Sequence, residues 1–134
     1  MTLQDDQMCF VCGPKNPIGL RLEFSFEGER YVTRFTAGPE HQGYAGVTHG
    51  GIVSAVLDEV MARLVHVKGF SAVTAEMTVR LKQPARTGHE LVFAGWIAGE
   101  RGRIIDCAAE ARDLSGNIVA EATARMMKVK EQGL

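Results

Sequence analysis

The residues best spaced for chemistry are the segment Gly46-Val47-Thr48-His49-Gly50-Gly51 and the carboxylate of Asp58, seven positions past the second glycine. The segment opens a helical pattern, and a helix start presents unpaired backbone N–H groups and the positive end of the helix dipole. Gly50 and Gly51 let a ligand oxygen approach that backbone closely. An oxygen that gains negative charge during a reaction is stabilised at such a place. The same pair of glycines also suits a plain tight loop entering a helix.

Asp58 sharpens the first reading. Its helical neighbours at i+3 and i+4 are Met61 and Ala62, so no cation balances it, whereas Glu59 has Arg63 at i+4 and is expected to form a surface ion pair. Asp58 falls at the margin of the apolar helix face, where a carboxylate needs water, hydrogen bonds or a substrate. Solvation at the rim of a sheet would also satisfy it.

Other reactive types are more scattered. Cys9 and Cys12 have the CxxC spacing of zinc knuckles and redox pairs, but a structural zinc needs four ligands and no second paired motif accompanies them. Packing is therefore the favoured role of both thiols and no metal is assigned, with zinc as the alternative should a dimer supply a second pair. His41, His66 and His89 stand alone in different elements and are read as surface residues. Arg80, Lys82, Arg86, Arg101 and Arg103 occupy outward strand positions or turns, where a cation is solvated or contacts a phosphate.

The elements that must position these residues follow from periodicity. Residues 1–17 carry no sustained period and read as an irregular arm. Leu20, Leu22, Phe24 and Phe26 then alternate with polar residues, which predicts a strand beginning near Ile18 and paired as a hairpin with Tyr31 to Phe35. One helix is predicted from Gly51 to Lys68, with Val53, Val56, Leu57, Val60, Met61 and Leu64 on a wide apolar face. Four strands follow, the first with Ala75, Met77, Val79 and Leu81 inward, the second ending at Ile97. Rows of alanines on the last two leave room for a helix lying close against the sheet. The expected class is α+β, one central helix in a curved antiparallel sheet.

Composition narrows the partners. With 134 residues and 46% hydrophobic content the chain fits one domain with a real core. A net charge of −1 provides no field to gather nucleic acid or anionic lipid. The most apolar stretch, Ile52 to Val67, is interrupted by Asp58, Glu59 and Arg63, so no membrane span is expected. The first residues lack a secretory pattern and the three cysteines are too few for a disulfide framework, so a cytoplasmic location with reduced thiols is expected.

From Cys9 to about Val129 the chain resembles hotdog-fold acyl-CoA thioesterases of the phenylacetate-pathway type. The resemblance is carried by Cys9-Phe10-Val11-Cys12-Gly13, Asn16-Pro17-Ile18-Gly19-Leu20, His41-Gln42-Gly43-Tyr44, and His49-Gly50-Gly51 with Asp58 nine residues past the histidine. Val73-Thr74-Ala75-Glu76-Met77, leading to Gln83-Pro84-Ala85-Arg86-Thr87-Gly88, extends it. It implies a helix wrapped by the sheet, sites at the interface of a homodimer or dimer of dimers, and hydrolysis of an acyl thioester without cofactor. It further implies that the Gly50 N–H polarises the carbonyl, that Asp58 is base or nucleophile, that Thr74 reaches the site from the other subunit, and that His49 supports. Gly51 would face the substrate, and Arg80 and Arg86 would hold the CoA phosphates. In several relatives an amide side chain stands six residues before the histidine; here that place is Gly43, with Gln42 or His41 as substitutes. That gap motivates the rival reading, a non-catalytic acyl-CoA or lipid-binding module; a hydratase would need a His and Asp motif that is not found.

Overall fold

The computed structural model describes residues 2–130. Among them the chain forms β1 (Ser25–Glu27), β2 (Arg30–Thr36), α1 (Gly50–Val67), β3 (Ala72–Leu81), β4 (Glu90–Arg101), β5 (Ile104–Arg112) and β6 (Ile118–Lys128), with a 3-10 turn at Pro39–His41. This is the expected order of two strands, one helix and four strands. All pairings are antiparallel, and the strands lie side by side as β1-β2-β4-β5-β6-β3. β3 therefore crosses to the far edge of the sheet. Among the described residues no helix is long and apolar enough to cross a membrane.

The helix lies on the sheet because both surfaces are shaped for it. Val53, Val56, Leu57, Val60, Met61, Leu64 and Val65 are buried, repeating at the three- and four-residue intervals of one helix face. Full burial of such a side chain contributes about 1.5–3 kcal/mol. Beneath them, register places Gly95, Ala109, Ala122 and Val79 in one row across four strands, and Ile97, Cys107, Ala124 and Met77 in another. The small residues let the backbones approach. A Cβ on Gly95 would stand 2.8 Å from the Val60 carbonyl oxygen, inside van der Waals contact with main chain that cannot move independently.

Three expectations about strands are corrected. The strand foreseen from Ile18 pairs only from Ser25 onward. Leu20 and Leu22 instead give their N–H groups to the carbonyls of Phe10 and Val11, at 2.8 and 2.9 Å, and Arg21 adopts φ 53°, which breaks an extended run. Leu20, Leu22 and Phe24 still pack against the core, so alternation identified the face but not the pairing partner. β4 does not stop at Ile97; a bulge at Ala98 shifts the register and pairing resumes to Arg101 opposite Ile104. Ala75 and Leu81, expected inward on β3, are exposed, Ala75 because it sits in a second bulge that bears on the site below.

Candidate functional site

The loop before α1 is fixed by its own backbone. Gly43 N–H bonds to the Val47 carbonyl at 2.9 Å, Thr48 N–H to Ala85 at 2.7 Å, and His49 N–H to His41 at 2.8 Å. Gln42 Oε1 accepts from Gly46 N–H at 3.0 Å, so its carbonyl end tightens the turn. His41 Nδ1 is engaged by Gly38 N–H at 3.0 Å. Gly43 lies beside the motif histidine, since a Cβ there would stand 3.5 Å from His49 Cδ2, an ordinary contact.

His49 caps the helix. Its Nδ1 accepts from Gly51 N–H at 2.9 Å, which puts the proton of the neutral ring on Nε2. The His49 carbonyl takes the N–H groups of Ile52 and Val53, at 2.9 and 3.2 Å. Of the first-turn amides, Gly50 N–H is left without an acceptor among the described residues. It stands at the positive end of an 18-residue helix. A cavity of about 580 Å³ opens at this point, lined by Tyr44, His49, Gly50, Val53, Leu81 and Pro84 among others.

Asp58 and Thr74 form a second constellation. Thr74 Oγ1 donates to Asp58 Oδ1 at 2.7 Å, with Met126 Sδ 3.3 Å from the same hydroxyl. Strict alternation along β3 would turn Thr74 outward with Glu76. The bulge leaves Ala75 unpaired between Thr74, opposite Met126, and Glu76, opposite Arg125, so both Thr74 and Met77 face the helix. Asp58 is half-buried and forms no ion pair among the described residues. Its partner is a hydroxyl, not a cation.

These two constellations do not meet within one chain. Gly50 and Asp58 are eight helical residues apart, which at 1.5 Å per residue is about 12 Å. Neither Asp58 nor Thr74 lines the cavity at the helix start. Thr74 bonds to Asp58 of its own chain, and Gly50 lies apart from both.

The remaining candidates separate. Arg80 projects from the face of β3 opposite the helix, in a depression shared with Thr78, Trp96 and Glu121. Alternation places it there, and it does not line the cavity by Gly50 of its own chain. Arg86 is exposed beside the loop, its backbone bridged to Val47. Lys82 lines the cavity and pairs with Glu121 at 3.1 Å.

The expected Glu59–Arg63 ion pair is replaced by other contacts. Glu59 accepts from the thiols of Cys9 and Cys12, each at 3.3 Å, while Arg63 donates to the Tyr31 hydroxyl at 3.1 Å. Burial, reinforced by the Glu59 charge, pushes the Cys12 thiol up to about 12. Sequence spacing could not disclose this grouping, because the thiols are 47 and 50 positions from the carboxylate.

Comparison with curated protein sequences found no match. Among solved structures, a thioesterase superfamily protein superposes with a TM-score of 0.85 at 22% identity, over 90% of this chain; the chain spans 63% of that structure's length. A hypothetical thioesterase from Streptococcus pneumoniae TIGR4, determined with coenzyme A, gives a TM-score of 0.76 at 17% identity, covering 84% of this chain and 88% of the other. Structures also exist of its variants in which an aspartate or a threonine, sixteen positions apart, is replaced by alanine. The E. coli PaaI protein of the phenylacetic acid degradation operon gives 0.75 at 17% identity, covering 81% and 84%. At these identities the likeness establishes the hotdog fold, one helix wrapped by an antiparallel sheet. The family model of the thioesterase superfamily matches residues 45–120, from the loop before α1 into β6. That stretch is more than half of the chain, and the protein belongs to the thioesterase superfamily.

Proposed function

We propose that the protein hydrolyses an acyl-CoA, or a closely related acyl thioester, to a free acid and a thiol. The observation that carries this reading is the half-buried Asp58 carboxylate, held at one oxygen by Thr74 and balanced by no cation among the described residues. The other oxygen is left to accept a proton from water. The activated water attacks the thioester carbon, negative charge moves to the carbonyl oxygen, and the C–S bond breaks as the thiolate regains a proton. Direct attack by Asp58 would instead form a mixed anhydride that water then opens. In either course the unpaired Gly50 N–H and the helix dipole stabilise the carbonyl oxygen.

The 12 Å separation, about eight residues of helix rise, supports dividing these roles between two protomers. The midpoint between Gly50 and Asp58 is Ser54. A two-fold axis near Ser54 with antiparallel helices brings Gly50 of each protomer against Asp58 of the partner subunit, forming two equal sites. β3 lies at a sheet edge and Leu81 is exposed beside the cavity, so a second copy has both a strand and an apolar surface to cover. The acyl group occupies the cavity by Leu81 and Val53, and the CoA phosphates meet Lys82, which lines it, and the exposed Arg86, which follows the lining residue Ala85. The aspartate and threonine chosen for replacement in the Streptococcus protein have the spacing of Asp58 and Thr74, which supports the pairing.

The second reading, binding without hydrolysis, is favoured by Gly43, which places no side chain beside His49. Thiol release from short, medium and aromatic acyl-CoAs decides between them. Turnover of at least one ester is expected. Saturable binding of the esters with no thiol released from any would overturn hydrolysis.

A further inference from the structure

One cluster outside this site brings three ligand-type groups together. Cys9 Sγ lies 3.3 Å from Glu59 Oε2 and Cys12 Sγ 3.3 Å from Glu59 Oε1, and one donor atom from each residue falls within 4.8 Å of the others. We propose that Cys9, Cys12 and Glu59 bind a thiophilic divalent cation of the zinc class, with water as fourth ligand, and that the cation staples the amino-terminal arm to α1. The proposal is independent of the hydrolytic reading, which uses none of these residues. It departs from the packing role favoured by sequence, because the helix adds a third protein ligand to the cysteine pair.

Geometry fits first. Metal–sulfur bonds of about 2.3 Å and metal–oxygen bonds of about 2.0–2.2 Å at tetrahedral angles put sulfur and oxygen about 3.5 Å apart. Each sulfur already lies 3.3 Å from one of the two Glu59 oxygens, and one donor atom of each residue falls within 4.8 Å of the others, so ligation draws the three together by about 1 Å. The chelating turn is already shaped. Gly13 N–H closes it onto the Cys9 carbonyl at 2.8 Å, and a Cβ at Gly13 would lie 2.4 Å from Cys9 N, so the turn requires glycine after the second cysteine.

Charge and access fit as well. Two thiolates and a carboxylate around a divalent cation leave one negative charge, and the Arg63 guanidinium, with Nη1 3.7 Å from Cys12 Sγ, stands where it neutralises that charge. The cluster opens onto a cavity of about 410 Å³ lined also by Asp5, Asp6 and His66, which provides an entry path and room for water. On binding, two S–H bonds give way to two sulfur–metal bonds and both protons pass to solvent, with no change of oxidation state. The arm, residues 2–24, contains no helix or strand, yet it inserts Val11 into the core at 4% exposure. A cation joining its turn to the middle of α1 would hold that insertion in place.

The test is titration of the reduced, chelator-stripped full chain with Co2+ alone and with Zn2+ alone. One equivalent of Co2+ is expected to produce a near-ultraviolet sulfur-to-metal charge-transfer band and tetrahedral visible bands, and Zn2+ to displace it and raise Tm. Cys9→Ser or Cys12→Ser should abolish the band, Glu59→Gln should weaken affinity about tenfold or more, and Cys107→Ser should leave binding unchanged. Should a cysteine variant fail to fold, Glu59→Gln and the displacement by Zn2+ still decide. Absence of the charge-transfer band in the wild type, or undiminished affinity in Cys12→Ser or Glu59→Gln, would overturn the proposal.

Discussion

The Thr74 hydroxyl donates to Asp58 Oδ1 across 2.7 Å from a strand position that simple alternation would turn to the opposite face of the sheet. The bulge at Ala75 re-aims it. If this bond orients the carboxylate, Thr74→Val, which keeps the volume, lowers kcat about 10- to 100-fold while Tm changes little. Thr74→Ser, which keeps the hydroxyl, restores most of the rate. Steady-state thiol release checks both, and equal rates for the valine variant and wild type would remove Thr74 from the mechanism.

Gly50 permits a test of one amide hydrogen. It is the first helical residue, where proline is well tolerated, and His49 before it has φ −57° and ψ 131°, a conformation compatible with a following proline. Gly50→Pro deletes the N–H, and Gly50→Ala is the control that adds a Cβ but keeps it; both must displace Leu81 Cδ1, 2.8 Å from that Cβ. The proline variant is expected to lose about 10²–10³ in kcat relative to the alanine variant. Co-expression of Gly50→Pro with Asp58→Asn should then recover about a quarter of wild-type activity, because half of randomly paired dimers hold one intact site of two. No recovery would place both groups in one protomer.

Gly95 holds the sheet against the helix. Gly95→Ala places a methyl 2.8 Å from the Val60 carbonyl, and relief requires movement of α1 against β4. Destabilisation of about 1–3 kcal/mol is expected, read as a lower urea midpoint at unchanged m-value.

Acid stability should depend on Glu110. Burial pushes its pKa up, but hydrogen bonds from Arg112 and Arg30 and their charges outweigh burial and hold it below the ordinary 4.5. A depressed folded value means the stabilisation is complete above about pH 4.5 and is lost as pH falls through the lower folded value. Glu110→Gln should therefore flatten the fall of the urea midpoint below pH 4.5, by up to about 1 kcal/mol given the exposure of both arginines. An unaltered pH profile would show that these bonds add nothing.

Much of this architecture is legible in the sequence because it is written in local periods. The apolar positions of α1, the alanine rows of β5 and β6, and Asp58 without a cation one turn away all depend on neighbours a few residues apart. What escaped depends on distant partners. Thr74 turns inward only because pairing with β6 slips by one residue at Ala75. Leu20 and Leu22 alternate like a strand yet bond to Phe10 and Val11. Glu59 has Arg63 in helical range, but the arm returns two thiols to it from the far end of the chain. Arg80 was separated from Arg86 by sheet sidedness, which a motif does not specify.

The central claim is that Asp58 activates water against a thioester carbonyl, and the direct measurement is the rate of thiol release by Asp58→Asn beside wild type on the best acyl-CoA found. The substitution preserves shape and the Thr74 contact but removes the base. A loss of about 10²–10⁴ in kcat with CoA affinity unchanged is the predicted result. Turnover within about twofold of wild type, when a positioned base should supply about 10² or more, would contradict the account.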